Sequence, residues 1–235
     1  MDMLMQPVFW AALGNIILVN IVLSGDNAVV IALACRSLPP RQQKSAIIFG
    51  SVGAVVLRVV LTFFAVLLLA QPYLKLIGAV LLLWIGIGLL KGDDEGEEHA
   101  DQASLWAAIK TIMIADVVMS LDNVIGVAAA AKGNIVLLVA GLVISIPLIV
   151  FGSTLILKLM GRFPVIITAG AALLGWVAGE MAVSDPVVHE LVASLHWLHI
   201  AAPLTGAVLV VAIGKWLGRR RNGDDEEGGT AGTVS

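Results

Sequence analysis

Asn20-Ile21-Val22-Leu23-Ser24-Gly25-Asp26-Asn27 returns 96 residues later as Asp116-Val117-Val118-Met119-Ser120-Leu121-Asp122-Asn123. Both copies lie in apolar runs long enough to cross a bilayer, for which about 20 residues span about 30 Å. A carboxylate is costly in hydrocarbon, so an Asp at membrane depth points to a functional site. Matched polar breaks in two halves of one chain predict a transporter whose site lies near the membrane midplane.

Composition agrees. Of 235 residues, 59% are hydrophobic and 13% charged, and the mean hydropathy is +1.00. A soluble domain carries about a quarter charged residues. Most acids sit in two clusters, Asp93 to Asp101 and Asp224 to Glu227. The single cysteine, Cys35, excludes an intrachain disulfide and a multi-cysteine metal site, and reads as a small apolar packing residue. The N-terminus lacks a basic region and its apolar run is too long for a signal peptide core, so the first span is read as part of the mature protein. There is no P-loop, nucleotide-binding Gly loop or hydrolase triad. The sequence therefore predicts no enzyme and no nucleic-acid partner.

The expected architecture is an all-α membrane protein with seven spans, at about 8–34, 45–70, 73–90, 105–131, 135–159, 165–183 and 198–217. Pro39, Pro40, Pro72, Pro164 and Pro186 fall between them, where proline does least harm. Eleven basic residues outside the spans or at their ends fall on the side of the C-terminus, and only Lys75 and Lys132 fall opposite. The positive-inside rule then puts the N-terminus outside and the C-terminus in the cytoplasm.

The repeat extends beyond the Asp motif. Trp10-Ala11-Ala12 matches Trp106-Ala107-Ala108 in the same register. Pro72, Gly78, Leu81, Leu82 and Trp84 match Pro164, Gly170, Leu173, Leu174 and Trp176 at an offset of 92. Chance explains Leu and Ala matches between apolar helices, but poorly explains those of Ser, Asp, Asn, Trp and Pro. Each unit holds three spans, an odd number, so the copies run in opposite directions. This is a 3+3 inverted-topology repeat with a seventh helix added. Residues 1–92 form the first unit, 93–104 an acidic cytoplasmic loop and 105–184 the second unit. Residues 185–218 hold an outer loop and the seventh helix, and 219–235 a disordered cytoplasmic tail.

On an ideal helix, at about 100° per residue, Asn20, Ser24 and Asn27 share a face and Asp26 lies to one side. Asp116, Ser120, Asn123 and Asp122 repeat the pattern. Either the two Asp residues turn to another neighbour, or the helix opens near the motif, which Gly25 favours in the first copy. The donors are three carboxylates (Asp26, Asp116, Asp122), three amides (Asn20, Asn27, Asn123) and two hydroxyls (Ser24, Ser120). All are oxygen ligands, suited to Mn2+, Ca2+ or Mg2+ rather than to the softer metals that favour thiolate or imidazole. Simple hydrogen bonding between helices explains Ser24 or Asn20, but poorly explains three carboxylates. Arg58 has no basic counterpart in the second unit. It is either a counter-ion that the cation displaces or a fixed partner of one Asp. One carboxylate could also carry a proton for exchange.

Glu180, near the outer end of the sixth span, precedes Asp185, His189, Glu190, His196 and His199. An outer metal site is conceivable there, against a solvated interfacial loop as the simpler reading. The acidic run 93–101 could concentrate cations, or be only a flexible linker.

Leu23-Ser24-Gly25-Asp26-Asn27-Ala28-Val29-Val30, followed by Leu38-Pro39-Pro40, resembles the first signature of the TerC family of integral membrane proteins. Asp116 to Val124 resembles the second, and Gly53-Ala54-Val55-Val56-Leu57-Arg58 is similar to a further family pattern. The resemblance covers about residues 8–183 and is nearest to short bacterial members without soluble domains. It implies manganese efflux, a link to tellurite resistance and a place in the lysine-exporter superfamily. It also implies Asp26 and Asp122 as the core pair, with Asp116 and the adjacent Asn residues in support. Two positions depart from the pattern: Asn123 where Ser is common, and Gly25 where a larger residue is common.

Three functions compete. The first is export of a divalent cation, foremost Mn2+. The second is export of a small organic solute, whose carboxylate would have only Arg58 to meet. The third is a membrane-protein partner that aids metal loading of exported proteins. The oligomeric state, including a homo-oligomer, is left open by the sequence.

Overall fold

The computed structural model describes residues 10, 13–19, 25–69, 71–91, 101–131, 134–193 and 195–230. Among these residues the chain is helical throughout, with short turns between helices. Residues 13–19 form α1, which is followed by α2 (Gly25–Cys35), α3 (Pro40–Leu69), α4 (Leu74–Lys91) and α5 (Asp101–Ala131). Then come α6 (Ile135–Arg162), α7 (Val165–Val183), α8 (Pro186–Ala193) and α9 (Leu198–Thr230).

Local chemistry sets several of these bounds. Asn134 accepts the Leu137 amide proton on its Oδ1 at 3.1 Å and so caps α6, as side-chain acceptors do at helix starts. The Phe163 amide closes the other end on the Leu159 carbonyl at 2.7 Å, and Pro164 turns the chain into α7. Pro147 and Pro203 lie inside α6 and α9, which membrane helices tolerate because neighbours re-satisfy the freed backbone.

Five helical stretches are long and apolar enough to cross a membrane: Pro40–Phe64, Leu74–Lys91, Ile135–Arg162, Val165–Val183 and Leu198–Arg219. Helix α5 is longer than any of these but carries Lys110, Asp116 and Asp122. Large apolar side chains such as Phe63, Phe64, Trp84, Phe151 and Val208 point outward and stay exposed. A soluble protein would bury such a surface, whereas a bilayer covers it.

Helix α7 packs on α4 and α9, α3 packs on α5 and α6, and α2 lies against α6 and α5. The α7–α9 crossing is tight because glycines line it. A Cβ on Gly206 would overlap the Gly175 carbonyl oxygen, and one on Gly179 would overlap that of Ala202. Close backbone approach through small residues is how helices gain contact where lipid removes the hydrophobic drive.

Three expectations change. Helix α5 starts at Asp101, so the end of the expected acidic loop is helical. Helix α9 continues to Thr230, through the segment expected as a disordered tail. Low hydropathy does not stop a helix already nucleated. Helix α8 occupies the expected outer loop. Residues 20–24 and 92–100 lie outside the described residues, and with them most of the acidic run.

Candidate functional site

Arg58 is the largest side chain sealed within the bundle, only 1% exposed. Helix α3 carries it to α5, where its Nη2 pairs with Asp116 Oδ1. Its Nε donates to Ser120 Oγ at 3.0 Å, and that hydroxyl donates to Asp116 Oδ2 at 3.2 Å. Asp116 and Ser120 are one helical turn apart, so both face Arg58 from one side of α5. A charge this deep in a protein is stable only when paired and hydrogen-bonded, and this triangle supplies both. Of the two readings of Arg58, a direct partner of one Asp is the arrangement present. That Asp is Asp116, which the family resemblance makes a supporting residue.

Asp26 stands in the first turn of α2, half-buried, and its Oδ1 accepts the Asn27 amide proton at 2.8 Å. A carboxylate there faces the positive end of the helix dipole. It lies within electrostatic reach of Arg58 and Asp116. Asn27, 2% exposed, has no hydrogen-bond partner on either Nδ2 or Oδ1 among the described residues. Asn123 is half-buried on α5. Helix α5 runs unbroken through the second motif, so in that copy the geometry is that of turned side chains rather than an opened helix. The side chain of Asp122, and all of Asn20 and Ser24, lie outside the described residues. The structure thus brings Asp26, Arg58, Asp116 and Ser120 into one neighbourhood, with Asn27 beside it.

The outer group is not assembled among the described residues. Glu180 is exposed and its Oε1 accepts from Trp176 Nε1 at 2.8 Å, one turn back on its own helix. His196 and His199 are exposed, and the side chains of His189 and Glu190 are outside the described residues. No three His, Cys, Asp or Glu side chains come together among the described residues to hold a metal. Two surface grooves, of about 510 and 360 Å3, run along α9 and beside α4, and neither is lined by a motif residue.

Asp185 is the residue whose role the sequence missed. It is fully buried in the turn between α7 and α8. Its carboxylate accepts amide protons from Tyr73 and Leu76 at 3.2 Å, from Lys75 at 3.2 Å and from Val187 at 2.9 Å. It therefore caps α4 from across the bundle and α8 from its own turn. Burial pushes its pKa up, but the donors of Val187, Leu76, Tyr73 and Lys75 together hold it below the ordinary carboxylate value. Tyr73 has φ 67°, the left-handed region that a bulky residue rarely adopts, and the bond to Asp185 helps to hold it there. A proline followed by a residue that must turn was a signal in Pro72-Tyr73. The partner more than 100 residues away was not.

A family model described as the integral membrane protein TerC family matches residues 5–222. The chain belongs to the TerC family. Among relatives, the uncharacterized membrane protein YjbE of Bacillus subtilis is 42% identical over 193 residues, covering 82% of this chain and 88% of its own length. The uncharacterized membrane protein YceF of the same organism is 27% identical over 225 residues, 91% of this chain and 86% of its own. The inner membrane protein YgdQ of Escherichia coli is 29% identical over 177 residues, 68% and 74% of the two chains. No solved structure matches. TerC membership and the five apolar helices make this a multi-pass membrane protein.

Proposed function

We propose that this TerC protein is a transporter of divalent cations, with Mn2+ as its main cargo and Asp26 and Asp122 as the carboxylates that bind it. The observation that carries the reading is the buried Arg58–Asp116 pair, with Asp26 at the start of α2 within electrostatic reach of it. The repeated motif supplies three carboxylates at membrane depth. Arg58 neutralises one of them, leaving a charge of up to −2 on the other two, matched to a divalent ion. Asn27, Asn123 and Ser120 are the neutral oxygen donors near these carboxylates, with Asn20 and Ser24 joining them by register. Hard oxygen donors without thiolate or imidazole suit Mn2+, Mg2+ and Ca2+.

In the same reading α1 with α2 forms the first span and α5 the fourth, giving seven in all. The packing pairs support an inverted repeat. Under exchange of α2 with α5, α3 with α6 and α4 with α7, the α3–α5 contact becomes α6–α2, and α4–α5 becomes α7–α2. All four contacts are present. The basic residues favour a cytoplasmic C-terminus, and export as the direction follows from the family resemblance. Proton exchange on one of the carboxylates is the proposed coupling.

Equilibrium titration of the detergent-purified protein with Mn2+, with Ca2+ and Mg2+ as competitors, tests the cargo. We expect saturable binding that Asp26→Asn weakens at least tenfold. Binding that Asp26→Asn leaves unchanged would remove the carboxylate site from the account.

A further inference from the structure

Helix α9 changes partners along its length. Near its start it lies on α7, backbone against backbone, at Ala202–Gly179 and Gly206–Gly175. Further on it leans on α4: a Cβ on Gly86 would stand 3.1 Å from Val210, and one on Gly214 would stand 2.9 Å from Leu90. Beyond the glycine crossing, α7 and α9 therefore part, and the groove of about 510 Å3 opens between them. Ala172 of α7 and Ala207, Val211 and Ala212 of α9 wall it. These side chains are short and leave the cleft unfilled. Val208 and Trp216, also on its rim, are more than half exposed, so the groove faces the bilayer.

The far end of the same groove is basic. Lys215 and Arg219 line it together with Trp216. The two bases are exposed and one turn apart, on one face of α9. Neither pairs with a carboxylate among the described residues. Trp216 is an amphipathic ring of the kind that sits at headgroup level. The α9 wall from Ala207 to Lys215 rises about 12 Å, close to half of a hydrocarbon core of about 30 Å. The groove thus runs from headgroup level to mid-membrane, where the glycine crossing shuts it. A partner helix needs a face along the whole span, whereas a lipid of one leaflet needs only half. Two cationic heads above an apolar slot complement a phosphate above an acyl chain, and their stems can lie along the apolar wall. Basic pockets between membrane helices on the cytoplasmic side hold anionic headgroups in this way. The groove beside α4 offers one base, Lys91.

We propose that the groove between α7 and α9 seats one anionic phospholipid of the cytoplasmic leaflet, with its phosphate on Lys215 and Arg219 and an acyl chain along Ala172, Ala207 and Ala212. The site goes beyond the transport reading, from which it takes only the cytoplasmic placement of the C-terminus. A lipid bound there ties α9 to α7 where the helices part.

Native mass spectrometry of the detergent-purified protein, titrated with phosphatidylglycerol or with phosphatidylcholine, tests the site. Wild type should retain one phosphatidylglycerol with at least fivefold preference over phosphatidylcholine. Lys215→Gln/Arg219→Gln should bind it at least fivefold more weakly. So should Ala212→Phe, which keeps both charges and fills the slot at an exposed position. Arg41→Gln/Lys44→Gln removes as much charge from exposed positions outside the groove and should bind within twofold of wild type. Equal loss in the two charge variants would reduce the effect to a general attraction for anions and overturn the site. Wild-type binding by Lys215→Gln/Arg219→Gln or by Ala212→Phe would overturn it too. Displacement by inorganic phosphate would give the bases to a soluble anion, and a dimer that Ala212→Phe dissolves would give the groove to a second copy; either result overturns the lipid. None of these readouts uses Mn2+ flux, so failure here leaves the transport reading to its own test.

Discussion

Arg58 and Asp116 meet as a buried ion pair between α3 and α5, closed into a triangle by Ser120. The pair joins the two repeat units, Arg58 from the first and Asp116 from the second. Where the second repeat has Asp116, the first has Asn20 at the matching position, so the charge on the two halves is unequal. Burying both ions is expensive, and such pairs rarely add stability over an apolar core. Their retention fits a role in setting the charge of the site.

Removing one partner should be far worse than removing both. Arg58→Ala leaves a buried carboxylate uncompensated and should cost about 3–5 kcal/mol. Arg58→Ala/Asp116→Ala should recover most of that loss. Melting temperatures in detergent for the two single variants and the double give the cycle. Additive losses would mean that the pair is not coupled.

Asn27 is held at a cost to stability. Replacing it with leucine, of similar volume, removes two unpartnered polar atoms, so the melting temperature should hold or rise by the equivalent of about 1 kcal/mol. Mn2+ affinity should fall at least tenfold. A variant that binds normally and melts lower would assign Asn27 to the fold alone.

The Asp185 cap has a defined pH dependence. Its folded pKa is depressed, so its stabilisation is fully present above the unfolded value of about 3.9 and is lost as pH falls through the lower folded value. Asp185→Ala should melt lower than wild type by the equivalent of about 1–3 kcal/mol from pH 5 to 8. The gap should close only below about pH 4. Melting curves of the two proteins across that range decide it, and a gap that closes near pH 6 would contradict the assignment.

The α7–α9 crossing leaves no room for a methyl group. Gly206→Ala places a Cβ against the Gly175 carbonyl and must push the helices apart, at about 1–3 kcal/mol or more. Gly161→Ala, where a Cβ meets nothing within 4 Å, should be silent. Comparable melting of the two variants would show that the crossing is looser than described.

Much of this was legible in advance because the bilayer simplifies the code. Apolar runs predict α4, α6 and α7 to within a few residues. The doubled motif marks Asp26 and Asp122 as the core pair with Asp116 in support; it is the supporting Asp116 that Arg58 pairs with, while the side chain of Asp122 lies outside the described residues. Arg58 stood out as a lone base at membrane depth, but its choice of Asp116 depended on how α3 crosses α5. Asp185 looked like one more acid in a loop, since its donors are backbone amides that no side-chain pattern encodes. The helical reach of α9 to Thr230 was obscured by polarity, which argues against a core but not against a helix.

The central claim is that the repeated Asp residues carry a divalent ion across the membrane. Its most direct test is Mn2+ flux into proteoliposomes for wild type, Asp26→Asn and Asp122→Asn, each reconstituted at equal, folded amounts with a pH gradient of either sign. The account predicts flux in wild type and at least a hundredfold loss in both variants. Wild-type flux in either variant, or no flux in the folded wild type, would contradict it.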